Sequence, residues 1–380
     1  MAALLAVAAL SARMLAEAAV LDGYQVIALD LFGDADTRRA SQRWQPIGAA
    51  GSLQIDATRV LDALQALARK GGDEVIGWVP GSGFEGQPEL LDAGAQLLPL
   101  IGTPAEAVRR VRDPALFFDV LEAHGIAHPP VRADAPADAD GWLLKDARAC
   151  GGWHIRHAHT ARDGASVSAW HYFQRAMPGV PMSATFIANG DRASLLGLNE
   201  LIVRPFGAHP HVYCGCVGPV AVSAGLARRI DEVVQLLTAA FGLRGWCSLD
   251  FIRGGDDSIG VLEVNPRPPA SLSLYAQPGL IDAQLRACLQ AELPPPAAFA
   301  PRHIGGSEIV YARHPLTIDE PGAQYLAGRP DVHDLPLAGA CFDAGDPICS
   351  LSAAGDTVEH VRALLFAARD AVMHTLEKSS

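Results

Sequence analysis

One hairpin-like stretch constrains the fold of this chain more than any other, because two short apolar segments flank a turn. The segments are Ser248–Arg253 and Ile259–Asn265, and the residues between them, Gly-Gly-Asp-Asp-Ser, favour a tight reversal. If the turn is symmetrical about its two aspartates, Asp250 lies directly opposite Glu263. The sequence therefore predicts an antiparallel pair of strands with two carboxylates facing each other.

The predicted hairpin gathers oxygen atoms on one of its faces. Because side chains alternate along a strand, Val261, Glu263 and Asn265 share one face, and Asp250 is expected beside them. Two facing carboxylates repel each other unless a cation lies between them. Mg²⁺ commonly binds one or two carboxylates together with the phosphates of a nucleotide. Spacing alone leaves two interpretations open, a metal site and a solvated polar hairpin.

Composition excludes several classes of protein. The chain has 380 residues, which predicts two or three domains, and its formal net charge of −12 argues against nucleic acid or an anionic membrane as partner. Seven scattered cysteines fit a reducing compartment better than a disulfide framework. The apolar N-terminus lacks the basic region of an export signal, and no apolar run is long enough to span a membrane. We therefore expect a cytoplasmic protein.

The first hundred or so residues alternate between strand and helix patterns. Strands are predicted at Leu4–Ala9, Tyr24–Asp30 and Glu74–Val79, and helices at Ala12–Asp22 and Ala57–Lys70. This alternation predicts a Rossmann-like domain, with a parallel sheet covered by helices. The first turn has no G-x-G-x-x-G pattern, so a bound dinucleotide is not expected.

A lysine followed by two glycines marks the middle of the chain. A helix is predicted over Arg112–Pro130, and a short strand over Trp142–Lys145 ends in the lysine. Gly151 and Gly152 come shortly afterwards. An ammonium group attracts phosphate oxygens, and glycines let backbone N–H groups close over them. A plain hairpin explains the same pattern, so the glycine pair alone does not decide between the two.

The order of these features resembles that of the ATP-grasp ligase family: a strand lysine, a glycine loop, and then an acidic hairpin ending in E-x-N-P-R, here Glu263–Arg267. The resemblance implies that Asp250, Glu263 and Asn265 bind Mg²⁺, with Mn²⁺ as a possible substitute. It also implies that Arg267 lies on the phosphate side and acts in catalysis. Arg267 carries a planar cationic fork that suits a phosphate or a carboxylate.

The same resemblance implies where ATP binds. Lys145 is expected to act in catalysis as well as in phosphate binding, and the glycine pair to cover the phosphates. In the family, a hinge segment lines the adenine pocket, and its glutamine, here Gln174, is usually followed by an acidic residue. This chain has Arg175 at that position, so the residue that contacts the ribose stays unassigned. Where the family has a phosphate-binding lysine, this chain has Arg112, which would stand in for it. The cofactor-binding residues implied are Lys145, Gly151, Gly152, Gln174, Arg175 and Ala176.

The expected fold class is α/β, with an α+β arrangement in the ATP-grasp part. Residues 1–100 are assigned to a Rossmann-like domain, and residues 101–292 to a two-lobed ATP-grasp domain that carries the nucleotide and metal site. A proline-rich stretch, Leu293–Pro301, then predicts a linker. Residues 293–380 are therefore assigned to this linker and a small C-terminal closing subdomain.

The resemblance implies an ATP- and Mg²⁺-dependent carboxylate–amine ligase with small-molecule substrates and an acyl-phosphate intermediate. A homodimer is one option for its assembly. Three strings are similar to ATP-grasp proteins of tetrahydromethanopterin and methanofuran-type cofactor pathways in methylotrophs: SARMLAEAA (residues 11–19), GY-x-V-x-A-x-DLFGDADTR (residues 23–38) and GW-x-SLDF (residues 245–251). That similarity suggests glutamate ligation to a one-carbon carrier. An ATP-grasp carboxylase, a phosphotransferase and a non-catalytic ATP-binding regulatory protein remain alternatives.

Overall fold

The computed structural model describes residues 2–49, 51–71, 75–162, 170–295 and 298–379. These residues form a parallel sheet at the N-terminus, a small antiparallel sheet, and a large antiparallel sheet that continues to the C-terminal part. This is the mixed α/β class that the sequence predicts. Within the described ranges, no helix combines the length and the apolar character needed to cross a bilayer.

The N-terminal part folds as the parallel sheet that the alternating pattern predicts. Its strands are β1 (Leu4–Ala8), β2 (Gln25–Asp30), β3 (Arg43–Pro46) and β4 (Val75–Pro80), and its helices are α1 (Arg13–Leu21), α2 (Ala35–Arg39), α3 (Ala57–Gly71) and α4 (Pro88–Ala95). The strands pair in parallel in the order β3-β2-β1-β4. Glu74, the first residue of one predicted strand, lies outside the described residues.

The single helix predicted over Arg112–Pro130 is wrong in its bounds, because the structure has two helices here. Helix α5 covers Ala105–Arg112 and helix α6 covers Pro114–Ala123. The break falls at Asp113, since a residue before proline avoids helical backbone angles. The Asp113 carboxylate also caps α6 by accepting a hydrogen bond from the N–H of Ala115 at 2.9 Å. The break leaves Arg112 at the C-terminal end of α5.

A small antiparallel sheet follows α6 and carries the strand lysine. Its strands are β5 (Val131–Arg132), β6 (Trp142–Asp146), β7 (Arg156–His157) and β8 (His171–Arg175), in the order β5-β8-β6-β7. Strand β6 pairs with β8 so that Lys145 lies opposite Tyr172. The loop between β6 and β7 contains both glycines of the predicted phosphate loop.

Counted over the described residues, the large sheet has eight strands. They are β9 (Val180–Asn189), β10 (Ala193–Phe206), β11 (His209–Gly218), β12 (Arg244–Arg253), β13 (Ile259–Asn265), β14 (Ile304–Tyr311), β16 (Val332–His333) and β18 (Pro347–Gly355). Two short strands, β15 (Leu316–Thr317) and β17 (Cys341–Phe342), pair separately. The helices of this part are α7 (Ala224–Phe241), α8 (Leu280–Leu289), α9 (Glu320–Ala327) and α10 (Val358–Ser379).

Strands from the C-terminal part continue the large sheet. The order is β13-β12-β9-β10-β11-β14-β18-β16, so that β14 pairs directly with β11. Strands β14, β16 and β18 therefore share a sheet with the preceding part of the chain. The division at residues 100 and 292 stays a prediction, because sheet continuity does not by itself define where one domain ends.

Alternation along β12 separates the core from the open face of the sheet. Cys247, Leu249 and Phe251 are fully buried in a core cluster that includes residues of helix α7. Ser248 and Asp250, the residues between them, line a cavity on the other face. The period of two along a strand is what presents these polar groups together.

Candidate functional site

Strands β12 and β13 form the predicted hairpin, and Asp250 pairs with Glu263 as the sequence predicts. The assumption of a symmetrical turn was wrong, because the register shifts between Asp250 and Phe251 and leaves Leu262 as an extra residue on β13. The prediction that Val261 shares a face with Glu263 was wrong for the same reason. Val261 is fully buried in the core cluster, whereas Leu262 and Glu263 line the cavity.

One cavity of about 400 Å³ lies between the small sheet and the open face of the large sheet. Its wall includes ten of the residues that the family resemblance assigns to the metal, cofactor and catalytic sites. They are Lys145, Gly151, Gly152, Gln174, Arg175, Ala176, Asp250, Glu263, Asn265 and Arg267. Arg112 is not among the described residues that line this cavity. Residues from well-separated parts of the sequence are thus brought to one place.

The two carboxylates of the hairpin are in different electrostatic environments. Burial and the nearby charge of Glu263 raise the pKa of Asp250, which also accepts a hydrogen bond from the Asn265 side-chain amide at 2.9 Å. Burial alone would raise the pKa of Glu263 as well, but Arg112, Lys145 and His154 lower it. The Arg112 guanidinium lies 3.1 Å from a Glu263 oxygen.

The donor set of Asp250, Glu263 and Asn265 fits a hard divalent cation. Mg²⁺ is commonly bound by oxygen ligands that include one or two carboxylates. Asn265 uses its Nδ2 for the bond to Asp250, and its oxygen makes no hydrogen bond to the described residues. No group of three or more His, Cys, Asp or Glu side chains suited to a metal occurs among the described residues. A cation here would therefore need oxygen atoms from phosphate or water to complete its coordination.

Lys145 presents a buried ammonium group at the end of β6. The residue is 4% exposed, and its Nζ donates to the Gln174 side-chain oxygen at 3.2 Å. Burial opposes its charge, but Tyr172 and Glu263 outweigh burial and raise the pKa of Lys145. The side chain therefore supplies a fixed positive charge beside the two carboxylates.

The glycine pair needs backbone angles and space that other residues lack. Gly151 and Gly152 have φ values of +72° and +79°, in the left-handed region. The Gly151 carbonyl accepts a hydrogen bond from the N–H of Tyr213 at 3.0 Å, which ties the loop to β11. A Cβ atom on Gly152 would collide with the carbonyl oxygen of His211 on the same strand. The loop therefore packs directly against the sheet backbone.

Two backbone donors at the end of strand β8 are used within the protein. The N–H groups of Arg175 and Ala176 donate to the carbonyls of Pro130 and Gly141, each at 2.8 Å. The Arg175 guanidinium is exposed and donates to the carbonyl of Asp140. In contrast, the buried Nε2 of Gln174 has no partner among the described residues.

His154 is a cavity residue that sequence reasoning did not select. Burial lowers the pKa of His154 to about 4, so the ring is neutral at pH 7. Its buried Nδ1 has no hydrogen-bond partner in the described structure. Since buried polar groups normally have partners, His154 and Gln174 indicate a polar ligand in this cavity. The position of His154, two residues after the glycine pair, was the available signal.

Arg267 connects the cavity to the N-terminal part of the molecule. Its Nε donates to the Glu85 carboxylate at 3.1 Å, and the Glu85 side chain is 1% exposed. Burial would raise the pKa of Glu85, but Arg267 and Arg112 lower it overall. The Nη1 of Arg267 donates to the carbonyl of Pro268, and its Nη2 makes no hydrogen bond within the described residues. One arm of the guanidinium is therefore left for a ligand.

Comparison with known proteins identifies the central segment. Residues 111–271 match the sequence model of a family described as the ATP-grasp domain. The large chains of carbamoyl phosphate synthase from Thermoplasma acidophilum and Rhodopirellula baltica are 25% and 22% identical over 204 and 205 residues. These matches cover 48% and 47% of this chain but span only 19% of the length of each relative.

Solved structures resemble almost the whole chain. N5-carboxyaminoimidazole synthase from Aspergillus clavatus, solved with ADP, is 17% identical with a TM-score of 0.70, over 98% of this chain and 99% of that one. L-amino acid ligase from Bacillus licheniformis is 14% identical with a TM-score of 0.69, over 97% of each chain. Biotin carboxylase from Campylobacter jejuni is 15% identical with a TM-score of 0.69, over 95% and 89%. Residues 111–271 therefore match the ATP-grasp domain family, and the fold of almost the whole chain resembles that of these solved structures.

Proposed function

We propose that this chain is an ATP- and Mg²⁺-dependent ligase that joins a carboxylate to an amine through an acyl-phosphate intermediate. The observation that carries the proposal is the cavity itself, where a lysine, two left-handed glycines, two carboxylates and an arginine surround about 400 Å³. Phosphoryl transfer needs mainly positioning and charge stabilisation, which such groups supply. The chemistry requires no serine or cysteine nucleophile.

The nucleotide is proposed to lie between the small sheet and the open face of the large sheet. Lys145 and the glycine pair would hold its phosphates, because they combine a fixed positive charge with close approach of the backbone. Gln174, Arg175 and Ala176 would line the adenine pocket. Since the two N–H groups after Gln174 are used within the protein, we expect the unpaired Gln174 Nε2 to face the base.

Asp250, Glu263 and the Asn265 oxygen are proposed to hold Mg²⁺, for which Mn²⁺ could substitute. When bound, the cation neutralises charge on the β- and γ-phosphates. The chain's own contribution is to keep two carboxylates at one end of the cavity with Lys145 nearby. This arrangement holds opposite charges around the position where the γ-phosphate is expected.

In the proposed reaction, a carboxylate oxygen of the acid attacks the γ-phosphorus of ATP, the bond to the bridging oxygen breaks, and ADP leaves. The amine nitrogen then attacks the carbonyl carbon of the acyl phosphate. An amide forms, phosphate leaves, and the proton of the amine passes to solvent. The unpaired Nη2 of Arg267 is the group that we expect to stabilise the charge that develops on the transferred phosphoryl group.

For the substrates, we propose glutamate as the amine and the acid group of a one-carbon carrier as the carboxylate. Support comes from the three strings that resemble proteins of methylotroph cofactor pathways. The net charge of −12 favours small molecules over nucleic acids or membranes as partners. A cytoplasmic location and a homodimer belong to the same proposal, and light scattering after gel filtration would test the dimer.

The test is an ADP-release screen over a matrix of acids and amines. The acids are furan and pterin carboxylates and bicarbonate, and the amines are glutamate and other amino acids. We expect ADP release that needs both an acid and an amine. Glu263→Gln should lower kcat/KM about 100-fold or more, because a charged cation ligand is lost. Asp256→Asn, at the exposed tip of the same hairpin, is the matched control and should match the wild type.

Each other outcome of the screen points to a named alternative. ADP release that depends on bicarbonate would favour a carboxylase, a class that is also found among the solved structures of this fold. Binding of ATP with Mg²⁺ but no ADP release with any pair would favour a non-catalytic regulatory protein. Unchanged turnover in Glu263→Gln would remove the proposed metal role.

A further inference from the structure

Arg112 lies behind the cavity wall, although the resemblance suggests that it stands in for a phosphate-binding lysine. It is the last residue of α5, and its side chain is only 7% exposed. Among the described residues, the cavity wall includes Lys145, Arg175 and Arg267 but not Arg112. The guanidinium therefore reaches the site only through other residues.

The hydrogen-bonding capacity of Arg112 is largely used by the protein. Its Nε donates to the Ala147 carbonyl at 3.0 Å, and its Nη2 donates to the Ala149 carbonyl at 2.9 Å. Its Nη1 donates to Glu263 Oε2 at 3.1 Å and to the Val264 carbonyl at 3.5 Å. Every guanidinium nitrogen thus has a protein acceptor, which leaves little capacity for a phosphate.

These acceptors belong to two separate parts of the site. Ala147 and Ala149 lie in the loop between the strand lysine and the glycine pair, whereas Glu263 lies on β13. Arg112 bridges the two parts. Because a guanidinium is planar and its N–H directions are fixed, it sets the position of the loop relative to the carboxylate. A lysine has one flexible point charge and cannot reproduce that bridge.

We propose that Arg112 is a positioning residue, which holds the glycine loop and Glu263 in register so that phosphates and cation meet in one geometry. This inference rests on the proposed function, because it gives Arg112 a task in binding the nucleotide with Mg²⁺. It differs from a direct phosphate contact, for which any cation of similar reach would serve.

The test measures the affinity for ADP by calorimetry with and without Mg²⁺ in Arg112→Lys and Arg112→Gln. Both variants should reduce the gain in affinity on adding Mg²⁺ by about 10- to 100-fold, as loss of a partner behind a metal ligand does. Binding of ADP without Mg²⁺ should change little. Arg110→Lys on the same helix is the matched control, because Arg110 is exposed and contacts the Ala240 carbonyl and the Phe241 ring.

Two results would overturn the inference. One is an Arg112→Lys variant that keeps the wild-type gain from Mg²⁺, since charge alone would then suffice. The other is an Arg112→Gln variant that weakens ADP binding equally with and without Mg²⁺, which indicates a direct phosphate contact. Arg112→Lys keeps the charge and most of the volume of the side chain. It therefore still tests the inference if Arg112→Gln fails to fold.

Amide hydrogen exchange over residues 147–152 gives a second readout that is independent of activity. Exchange without nucleotide should be faster in both Arg112 variants, because the two carbonyl anchors are lost, and unchanged exchange would contradict the bridge. Wild-type protein that binds no ADP would remove the proposed function itself. Wild-type binding with both variants unaffected would remove only the role given to Arg112.

Discussion

Arg267 and Glu85 form an ion pair between the cavity and the N-terminal part of the molecule. The Glu85 carboxylate is almost fully buried and also accepts a hydrogen bond from the N–H of Gly83 at 2.6 Å. A buried charge whose partner is removed is costly, whereas an exposed pair contributes little. The pair therefore orients Arg267 and also stabilises the fold.

Replacing Glu85 by glutamine should lower the free energy of unfolding by about 2 kcal/mol, since a charge-assisted hydrogen bond to a buried arginine is weakened. Urea denaturation measures this change. Glu89→Gln is the control, because Glu89 is exposed and lies 3.6 Å from an arginine that has other partners. An equal change in both variants would contradict the role of burial.

The pH dependence of the Glu85 effect has a defined sign. The folded-state pKa of Glu85 lies below its ordinary value of 4.5, so its stabilising contribution is present above that value. The contribution is lost as pH falls through the folded pKa. The difference in stability between wild type and Glu85→Gln should therefore shrink in acid.

At the scale of elements, the glycine loop between β6 and β7 is shaped by its contact with β11. Both glycines have positive φ, but they differ in the space around them. A Cβ on Gly151 would meet its nearest neighbour, Trp153, at 3.6 Å, whereas a Cβ on Gly152 would strike the backbone of β11. An alanine at position 151 therefore introduces backbone strain alone, whereas an alanine at position 152 adds a steric clash with β11.

Gly152→Ala should move the loop away from β11 and weaken Mg²⁺–ADP binding by about tenfold or more, because the proposed phosphate-binding loop would be displaced. Gly151→Ala adds only the strain of a left-handed residue, of about 1 kcal/mol, and should bind several-fold more tightly than Gly152→Ala. Calorimetric titration measures both affinities. Equal affinities in the two variants would show that contact with β11 does not set the loop position.

At the scale of the whole molecule, an acidic cluster joins the N-terminal and C-terminal parts. The Asp334 carboxylate accepts hydrogen bonds from Ser11 and Arg13, each at 2.9 Å, and also from Ser350. The Asp36 carboxylate accepts from the backbone N–H of Asp334 at 2.8 Å. These bonds connect segments that are about three hundred residues apart in sequence.

Asp34 makes this junction sensitive to pH. Burial, and then the charges of Asp334, Asp30 and Asp36, raise the pKa of Asp34 from 3.8 to about 8. Between these values the folded state binds more protons than the unfolded state, so stability falls as pH rises. The stability that protonated Asp34 contributes is therefore lost as pH rises toward 8. The stability that Glu85 contributes is instead lost as pH falls.

Asp34→Asn should reduce the loss of stability between about pH 5 and about pH 8 by roughly 4 kcal/mol relative to wild type, because the amide cannot ionise. Urea denaturation over this pH range measures the difference. Asp119→Asn, on the exposed side of α6, is the control and should follow the wild-type curve. If the free energy of unfolding of Asp34→Asn changed with pH in parallel with that of wild type, Asp34 would not titrate as proposed.

Local patterns predicted much of the architecture, and the family resemblance predicted much of the cavity wall. The alternation of residues 1–100 predicted the parallel sheet, and strand β13 kept its predicted bounds. The pairing of Asp250 with Glu263 was predicted for a partly wrong reason, since Leu262 shifts the register nearer the turn. Such a bulge depends on packing against the core, which the hairpin sequence does not encode alone.

The sequence by itself determined the order of elements and the residue types available for chemistry, because periodicity and turn residues act over short distances. Only the tertiary structure decided which side chains meet: that Arg112 bonds to Glu263, that Glu85 holds Arg267, and that β14 extends the large sheet. Hydrogen bonds and ion pairs between distant segments depend on how the elements pack. The family resemblance named the residues of the cavity, and packing set the partners that surround them.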